Sequence, residues 1–237
     1  MRGGTGQRLA AAAIVLVGCA AAGHAAKPAV QRFRLDSIQG LELQNVKAEA
    51  AEYRGRRAVH LTKRADQGAE ASPTGESIAI LDGTDFKDGT IEAEIAGMPA
   101  ADAPADARGF IGVAFRVAGH GEKFECFYIR PTNGRADDQL RRNHSLQYIS
   151  YPEYPWYRLR KENPGQYESY ADMDAGEWTK IKIEVEGVKA RLYVNGASQP
   201  ALIVNDLKLG ETRGKIALWS TDETDGYFSN LTVAAKD

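Results

Sequence analysis

The sequence predicts an all-β fold, a sandwich or barrel of short strands. Three observations predict it. Apolar and polar residues alternate in short runs, turn residues separate the runs, and no long stretch carries the apolar spacing of a helix. Hydrophobic residues make up 43 % of the 237 residues, enough for a packed core.

The runs follow in order. Ala58–Thr62, Ser77–Leu81 and Thr90–Ile95 read as strands, and Met98–Arg108, rich in Ala, Asp and Pro, reads as a surface loop. Gly109–Val117 is the next strand, with Ile111, Val113, Phe115 and Val117 on one face. Its other face carries Gly112, Ala114 and Arg116, which leaves room either for a ligand or for a neighbouring loop. Phe124–Ile129 is strand-like. Trp178–Val185 alternates strictly, with Ile181, Ile183 and Val185 inward and Lys180, Lys182 and Glu184 outward. Glu186-Gly187 turns the chain into Ala190–Val194, which Asn195-Gly196 ends as a hairpin signal. Leu202–Val204, Lys215–Ser220 and Tyr227–Val233 complete the set.

The ends and the charge set limits. Residues 1–25 read as a signal peptide, with Arg2 and Arg8 ahead of an apolar run too short to span a bilayer. Two processing sites compete: cleavage after Gly23-His24-Ala25, or a lipobox at Leu16-Val17-Gly18-Cys19 that would lipidate Cys19. Residues 26–32 read as a short tether and 33–237 as one domain. The protein is therefore expected to be exported, as a periplasmic, secreted or lipid-anchored bacterial envelope protein, touching a membrane only through that anchor. A net charge of −2 with interspersed charges gives no field to recruit nucleic acid. Cys126 is then the sole mature cysteine, so packing rather than an internal disulfide holds the domain. Oligomeric state is left open.

The strand series from Leu81 onward resembles the concanavalin A-like lectin/glucanase superfamily, especially LamG-like and 3-keto-disaccharide hydrolase-like domains. The resemblance rests on Leu81-Asp82-Gly83-Thr84-Asp85-Phe86, Gly89–Glu94, Gly109–Arg116 and Glu177–Lys182. It continues through Ala190–Gly196, Gly214–Trp219 and Tyr227–Leu231, in the same order. It implies a jelly-roll β-sandwich of two antiparallel sheets, one curved, with ligands on the concave face. The fold hosts lectins, glycosidases, lyases and inert modules, so it leaves function open. The laminarinase-type Glu-x-Asp-x-(x)-Glu strand is missing, and Glu92 and Glu94 share a face without the central Asp.

Chemistry concentrates between Ile129 and Tyr170. Strand parity in Phe127–Arg130 turns Tyr128 and Arg130 away from the core; read as a strand, Trp156–Arg160 groups Trp156, Arg158 and Arg160. Aromatic rings stack on pyranose faces while Arg, Asp, Asn and Gln grip hydroxyls. The expected carbohydrate contacts are thus Arg116, Tyr128, Arg130, Asn133, Asp137 and Gln139, with Arg141, Asn143, Gln147, Tyr151, Trp156 and Arg158. Such a set either forms a sugar site or braces a long loop.

His144 is the foremost catalytic candidate, because a neutral imidazole accepts a proton near neutral pH. Asp138 or Asp137 could orient it, Tyr148 or Tyr151 could move a proton, and Arg142 or Arg141 could neutralise a carboxylate or oxyanion. Jelly-roll lyases use Arg, Gln, His and Tyr for β-elimination from uronates, though their motifs are not matched here. No cofactor is predicted. The turns with Asp82, Asp85 and Asp88, and with Asp222 and Asp225, could hold Ca²⁺, but Asp is also an ordinary turn residue.

Three functions follow. A carbohydrate-binding protein predicts an aromatic and Arg-lined groove. A glycoside hydrolase of modified disaccharides, or a polysaccharide lyase, predicts His144 beside a carboxylate or Tyr in a cleft with an Arg. A non-catalytic adhesion module predicts polar side chains paired among themselves with no cleft.

Overall fold

The computed structural model describes Met1, residues 30–64 and residues 76–236. The expected signal segment beyond Met1, including Cys19, lies outside the described residues. The strands are β1 (Val30–Phe33), β2 (Leu41–Gln44), β3 (Lys47–Tyr53), β4 (Arg56–Thr62), β5 (Glu76–Leu81), β6 (Asp88–Pro99), β7 (Ile111–Ala118) and β8 (Lys123–Ile129). They continue as β9 (Leu146–Tyr151), β10 (Glu168–Ser169), β11 (Thr179–Glu186), β12 (Lys189–Val194), β13 (Leu202–Val204), β14 (Lys215–Thr221) and β15 (Thr224–Lys236). Two short helices, α1 (Gln139–Asn143) and α2 (Trp156–Glu162), interrupt the run from β8 to β10.

Every pairing is antiparallel. One sheet runs β13-β12-β11-β6-β15-β4-β3, with β1 also on β15, and the other runs β10-β9-β8-β7-β14-β5-β2. The molecule is an all-β jelly-roll sandwich. Its core lies between the sheets because each contributes one apolar face. Ile91, Ala93, Ile95, Ile181, Ile183 and Val185 of the eight-stranded sheet are all buried. The seven-stranded sheet answers with Ile111, Val113, Phe115, Phe127 and Ile129. Gly97 marks the contact: a Cβ there would meet Ile111 Cγ2 at 2.6 Å, so the missing side chain lets the sheets close. Each buried Ile or Phe supplies about 1.5–3 kcal/mol. The outer face of β11 is polar, with Lys180 pairing Glu92 at 2.6 Å.

Several expectations need correction. Trp156–Arg160 is helix, not strand. Pro155 opens it, and the i,i+4 spacing sets Trp156 and Arg160 on one side with the buried Leu159 between them in sequence. β1 begins at Val30, within the stretch expected to be a tether, and pairs with the last strand. β6 extends to Pro99, into the expected loop.

Arg116 is the sharpest correction. A bulge between Phe115 and Ala118 gives Arg116 a left-handed φ of 54° and breaks the parity that set it beside Gly112 and Ala114. Its side chain is 0 % exposed. It donates to Lys87 O (3.0 Å), Gly210 O (2.5 Å), Gly187 O (2.7 Å) and Asp88 Oδ1 (3.1 Å). A guanidinium so enclosed straps loops together and offers no face to a ligand. The Cys126 side chain is fully buried.

Candidate functional site

Register builds the site. Trp219 of β14 pairs with Gly112 of β7, Gly112 with Tyr128 of β8, Tyr128 with Gln147 of β9, and Gln147 with Glu168 of β10. Directly paired residues share a face, and neighbouring Ile111 and Ile129 point into the core. The row Trp219–Gly112–Tyr128–Gln147–Glu168 therefore lies on the face turned away from the core. Gly112 lets the rings of Trp219 and Tyr128 meet above it, with centroids 4.6 Å apart.

Arg130 follows the end of β8 and covers this row. Its side chain is 3 % exposed. Nη1 donates to His144 O at 2.8 Å, and Nη2 donates to the Tyr128 hydroxyl and to Gln147 Oε1, each at 3.0 Å. Three rings surround the cation: Phe110 at 4.9 Å, Tyr128 at 5.1 Å and Trp156 at 5.8 Å. Burial disfavours its charge, and Arg160 adds to that, while Tyr128 and Glu168 oppose it.

Glu168 supplies the counter-charge. Its side chain is also 3 % exposed and lies 4.0 Å from Arg130. Arg160, projecting from α2, grips it with two nitrogens: Nε lies 3.0 Å from Oε1 and 3.1 Å from Oε2, and Nη2 lies 2.6 Å from Oε2. The Arg160 guanidinium also sits over Trp156 at 4.7 Å. His144 caps the C-terminus of α1 and places Nε2 3.3 Å from Glu168 Oε1. Burial holds this imidazole below its ordinary value of 6.5; Glu168 pulls it up, and Arg160 and Arg130 push it down. These influences together favour the neutral ring.

Of these groups His144, Arg160 and Glu168 line a cleft of about 700 Å³. Leu140, Asn143 and His144 form its α1 side, Arg160, Pro164 and Gly165 its α2 side, and Glu168, Ser169 and Tyr170 its floor. The lining thus mixes polar donors and acceptors (Asn143, His144, Arg160, Glu168, Ser169) with apolar or aromatic side chains (Leu140, Pro164, Tyr170).

The structure brings Tyr128, Arg130, Gln147, Trp156 and His144 into one cluster, with Asn143 on the cleft wall. Other expected residues go elsewhere. Tyr148 lies on the opposite face of β9 from Gln147, buried in the core, where its hydroxyl donates to Glu125 Oε2 at 2.5 Å. Burial, with Glu125 beside it, raises that phenol well above its ordinary range. It cannot serve His144. Asp138 does not orient the imidazole either: it caps α1 by accepting from Arg141 N at 3.1 Å, and the carboxylate beside the ring is Glu168. Arg142 donates to the Tyr170 hydroxyl at 2.8 Å. Asn133 and Arg141 bond one another at 3.3 Å, bracing the turn after β8. Gln139 donates to Asn143 at 2.8 Å, and Asp137 is exposed. Tyr151 stacks on Phe124 at 5.0 Å, and Arg158 pairs with Glu162 at 2.9 Å, so both serve local packing.

Glu168 and Phe110 escaped sequence reading. The strand that holds Glu168 is two residues long, and its pairing with Gln147 is set by the helix between them. The Asp-rich turns are engaged by other side chains: Asp85 pairs with Arg213 at 3.1 Å, Asp88 with Arg116, and Asp225 contacts the His60 ring. Among the described residues no group of three His, Cys, Asp or Glu is placed to hold a metal ion, and no helix is long and apolar enough to cross a membrane.

No protein-family model matches the chain, and no curated protein matches it in sequence. Solved structures do. The carbohydrate binding module CBM66 from Bacillus subtilis superposes with a TM-score of 0.53 at 16 % identity, over 82 % of this chain and 95 % of that one. A Bacillus subtilis protein of unknown function with a galectin-like fold gives 0.57 at 13 %, over 86 % and 94 %. The fold is concanavalin A-like. The Crh5 transglycosylase in complex with NAG shares it at 9 % identity, with a TM-score of 0.51 over 89 % of this chain and 86 % of that one. Binding modules and enzymes thus use one concanavalin A-like frame, and the side chains of the cleft must carry the functional argument.

Proposed function

We propose that this is an exported carbohydrate-binding protein and that the His144–Arg160–Glu168 cleft is its site. One observation carries the reading: His144, Arg160 and Glu168 form a fixed polar cluster that lines a cleft with Asn143 and Tyr170, and the Arg160 guanidinium sits over the exposed Trp156. Sugar recognition needs rigid donors and acceptors beside an aromatic ring; Glu168 is fixed by burial and by Arg160, and Tyr170 is the ring on the cleft wall. Among the described cleft-lining residues Glu168 is the sole carboxylate, and both of its oxygens are engaged by Arg160. Hydrolysis by a carboxylate pair therefore lacks its second member. The similarity to a carbohydrate binding module supports the same direction.

A second reading draws on His144 itself. A neutral imidazole at a cleft wall, backed by a carboxylate and beside an arginine, is equipped to act as a base on a bound glycan. A glycan array, paired with assays for new reducing ends and for unsaturated uronates, separates the readings when run on wild type and His144→Ala. Binding without turnover supports recognition. Turnover abolished by His144→Ala supports the enzyme. Absence of both binding and turnover in folded protein overturns the carbohydrate reading.

A further inference from the structure

Charge around the cleft does not balance. Arg130 and Arg160 both converge on Glu168, so two buried or half-buried cations share one carboxylate. The direct hydrogen bonds of Arg130 go to neutral oxygens, those of His144, Tyr128 and Gln147. Arg142 adds a third cation at the rim, and its partner Tyr170, which lines the cleft, is likewise neutral. Of the other carboxylates near these cations, Asp138 is exposed and occupied in capping α1, and Asp172, which acts on Arg142, is held by Arg135 at 2.9 Å. His144 contributes no negative charge in either protonation state.

A surplus cation is costly where water is excluded and is stabilised by a bound anion. Arg160 is placed to meet one. Its Nε and Nη2 face Glu168, yet its side chain is 32 % exposed and lines the cleft. The Nε and Nη2 edge already holds Glu168, and Nη1, which makes none of these bonds, is the nitrogen that could donate to a second carboxylate.

We infer that the cleft takes an acidic sugar, a glycan carrying a uronate carboxylate, with Arg160 as the residue that reads the charge. The inference rests on the carbohydrate-binding reading and narrows it to one substrate class. The carboxylate would lie between Arg160 and the Arg142–Tyr170 pair, with the sugar hydroxyls on Asn143, His144 and Ser169.

The test uses oligosaccharides of polygalacturonate, alginate and hyaluronan, each before and after reduction of its carboxyl groups. Calorimetric titration of the wild-type protein compares each acidic form with its neutral twin. At least about tenfold tighter binding of one acidic form is expected, a difference of about 1.4 kcal/mol. That preference should weaken as salt rises from about 50 to about 500 mM. Arg160→Gln should reduce it to the neutral level, and Arg160→Lys should keep part of it, with melting curves confirming that both variants fold. Neutral twins binding as tightly as the acidic forms, or a preference unchanged in folded Arg160→Gln, overturns the acidic-sugar inference while leaving carbohydrate binding standing. Failure of the folded wild type to bind any acidic or neutral form overturns both.

Discussion

His144 Nε2 lies 3.3 Å from Glu168 Oε1 while Arg160 holds both oxygens of the same carboxylate. The imidazole, inside a partly desolvated wall, therefore feels Glu168 and, more weakly, Asp138 against the cations Arg160 and Arg130. This arrangement decides how the cleft responds to pH and to substitution.

The titration of His144 follows directly. Burial and the two arginines should keep its pKa below 6.5 in the folded protein, as followed by NMR of the ring protons. Glu168→Gln removes the group that raises it and should lower it further; Arg160→Gln removes a group that lowers it and should raise it. Because the folded value is depressed, the unfolded chain takes up the proton first as pH falls. Stability from this residue is therefore complete above pH 6.5 and is lost as pH drops from there toward the folded value. His144→Asn should flatten that part of the stability curve. A folded pKa above 6.5 would contradict the assignment.

Glu168 should also matter to stability, independently of any ligand. Replacing it with Gln leaves Arg130 buried among neutral oxygens and Arg160 without its two-pronged partner. Breaking a fully buried pair costs about 3–5 kcal/mol, and the partial exposure of Arg160 brings the expectation to roughly 1–3 kcal/mol. Urea unfolding measures it. An unchanged midpoint would mean that solvent already screens the cluster.

Tyr148 separates the structural from the catalytic interpretation. Its hydroxyl donates to buried Glu125 and accepts from Lys208 N at 2.8 Å, while Leu209 N donates to Glu125 Oε1 at 2.7 Å. The loop after β13 is thereby latched to the inner face of β8 and β9. Tyr148→Phe leaves two buried groups short of a partner and should cost about 1–3 kcal/mol. Glycan binding by the remaining folded protein should be unchanged. Loss of binding at unchanged stability would return Tyr148 to the site.

The scaffold was legible because its signal is local. Ile181, Ile183 and Val185 alternate with charged residues, and a half-buried strand needs no other instruction. Parity also turned Tyr128 to the correct face. Arg116 could not be read this way, since one bulge reverses the parity of every residue beyond it. In Trp156–Arg160, alternation and helical spacing both group Trp156 with Arg160; Pro155 and the packing of Leu159 on β9 select the helix, which releases Arg158 from the group. Glu168 is invisible locally because its role arises from the register of a two-residue strand against Gln147. The long-range partners of a site depend on such registers, and a single sequence does not display them.

Gly112 tests whether the row across the seven-stranded sheet is as tightly set as its contacts imply. A Cβ there would meet Phe127 O at 2.1 Å and Tyr128 Cα at 2.6 Å, both backbone atoms that no rotamer change can move. Ala114, two residues on and on the same face, carries a methyl group and is fully buried, so the constraint belongs to the crossing of β7 with β8 at Tyr128 and not to the face as a whole. Gly112→Ala should therefore push β8 away, separate Tyr128 from Trp219, and cost about 1–3 kcal/mol as overpacking. Since Tyr128 holds Arg130 through its hydroxyl, the same shift should weaken glycan binding, whereas Ala114→Gly should cost stability and leave binding intact. Denaturation followed by tryptophan fluorescence, with glycan titration of both variants, gives the comparison. Equal binding and an unshifted midpoint in Gly112→Ala would show that β7 and β8 yield at this point and that the row does not set the position of Arg130.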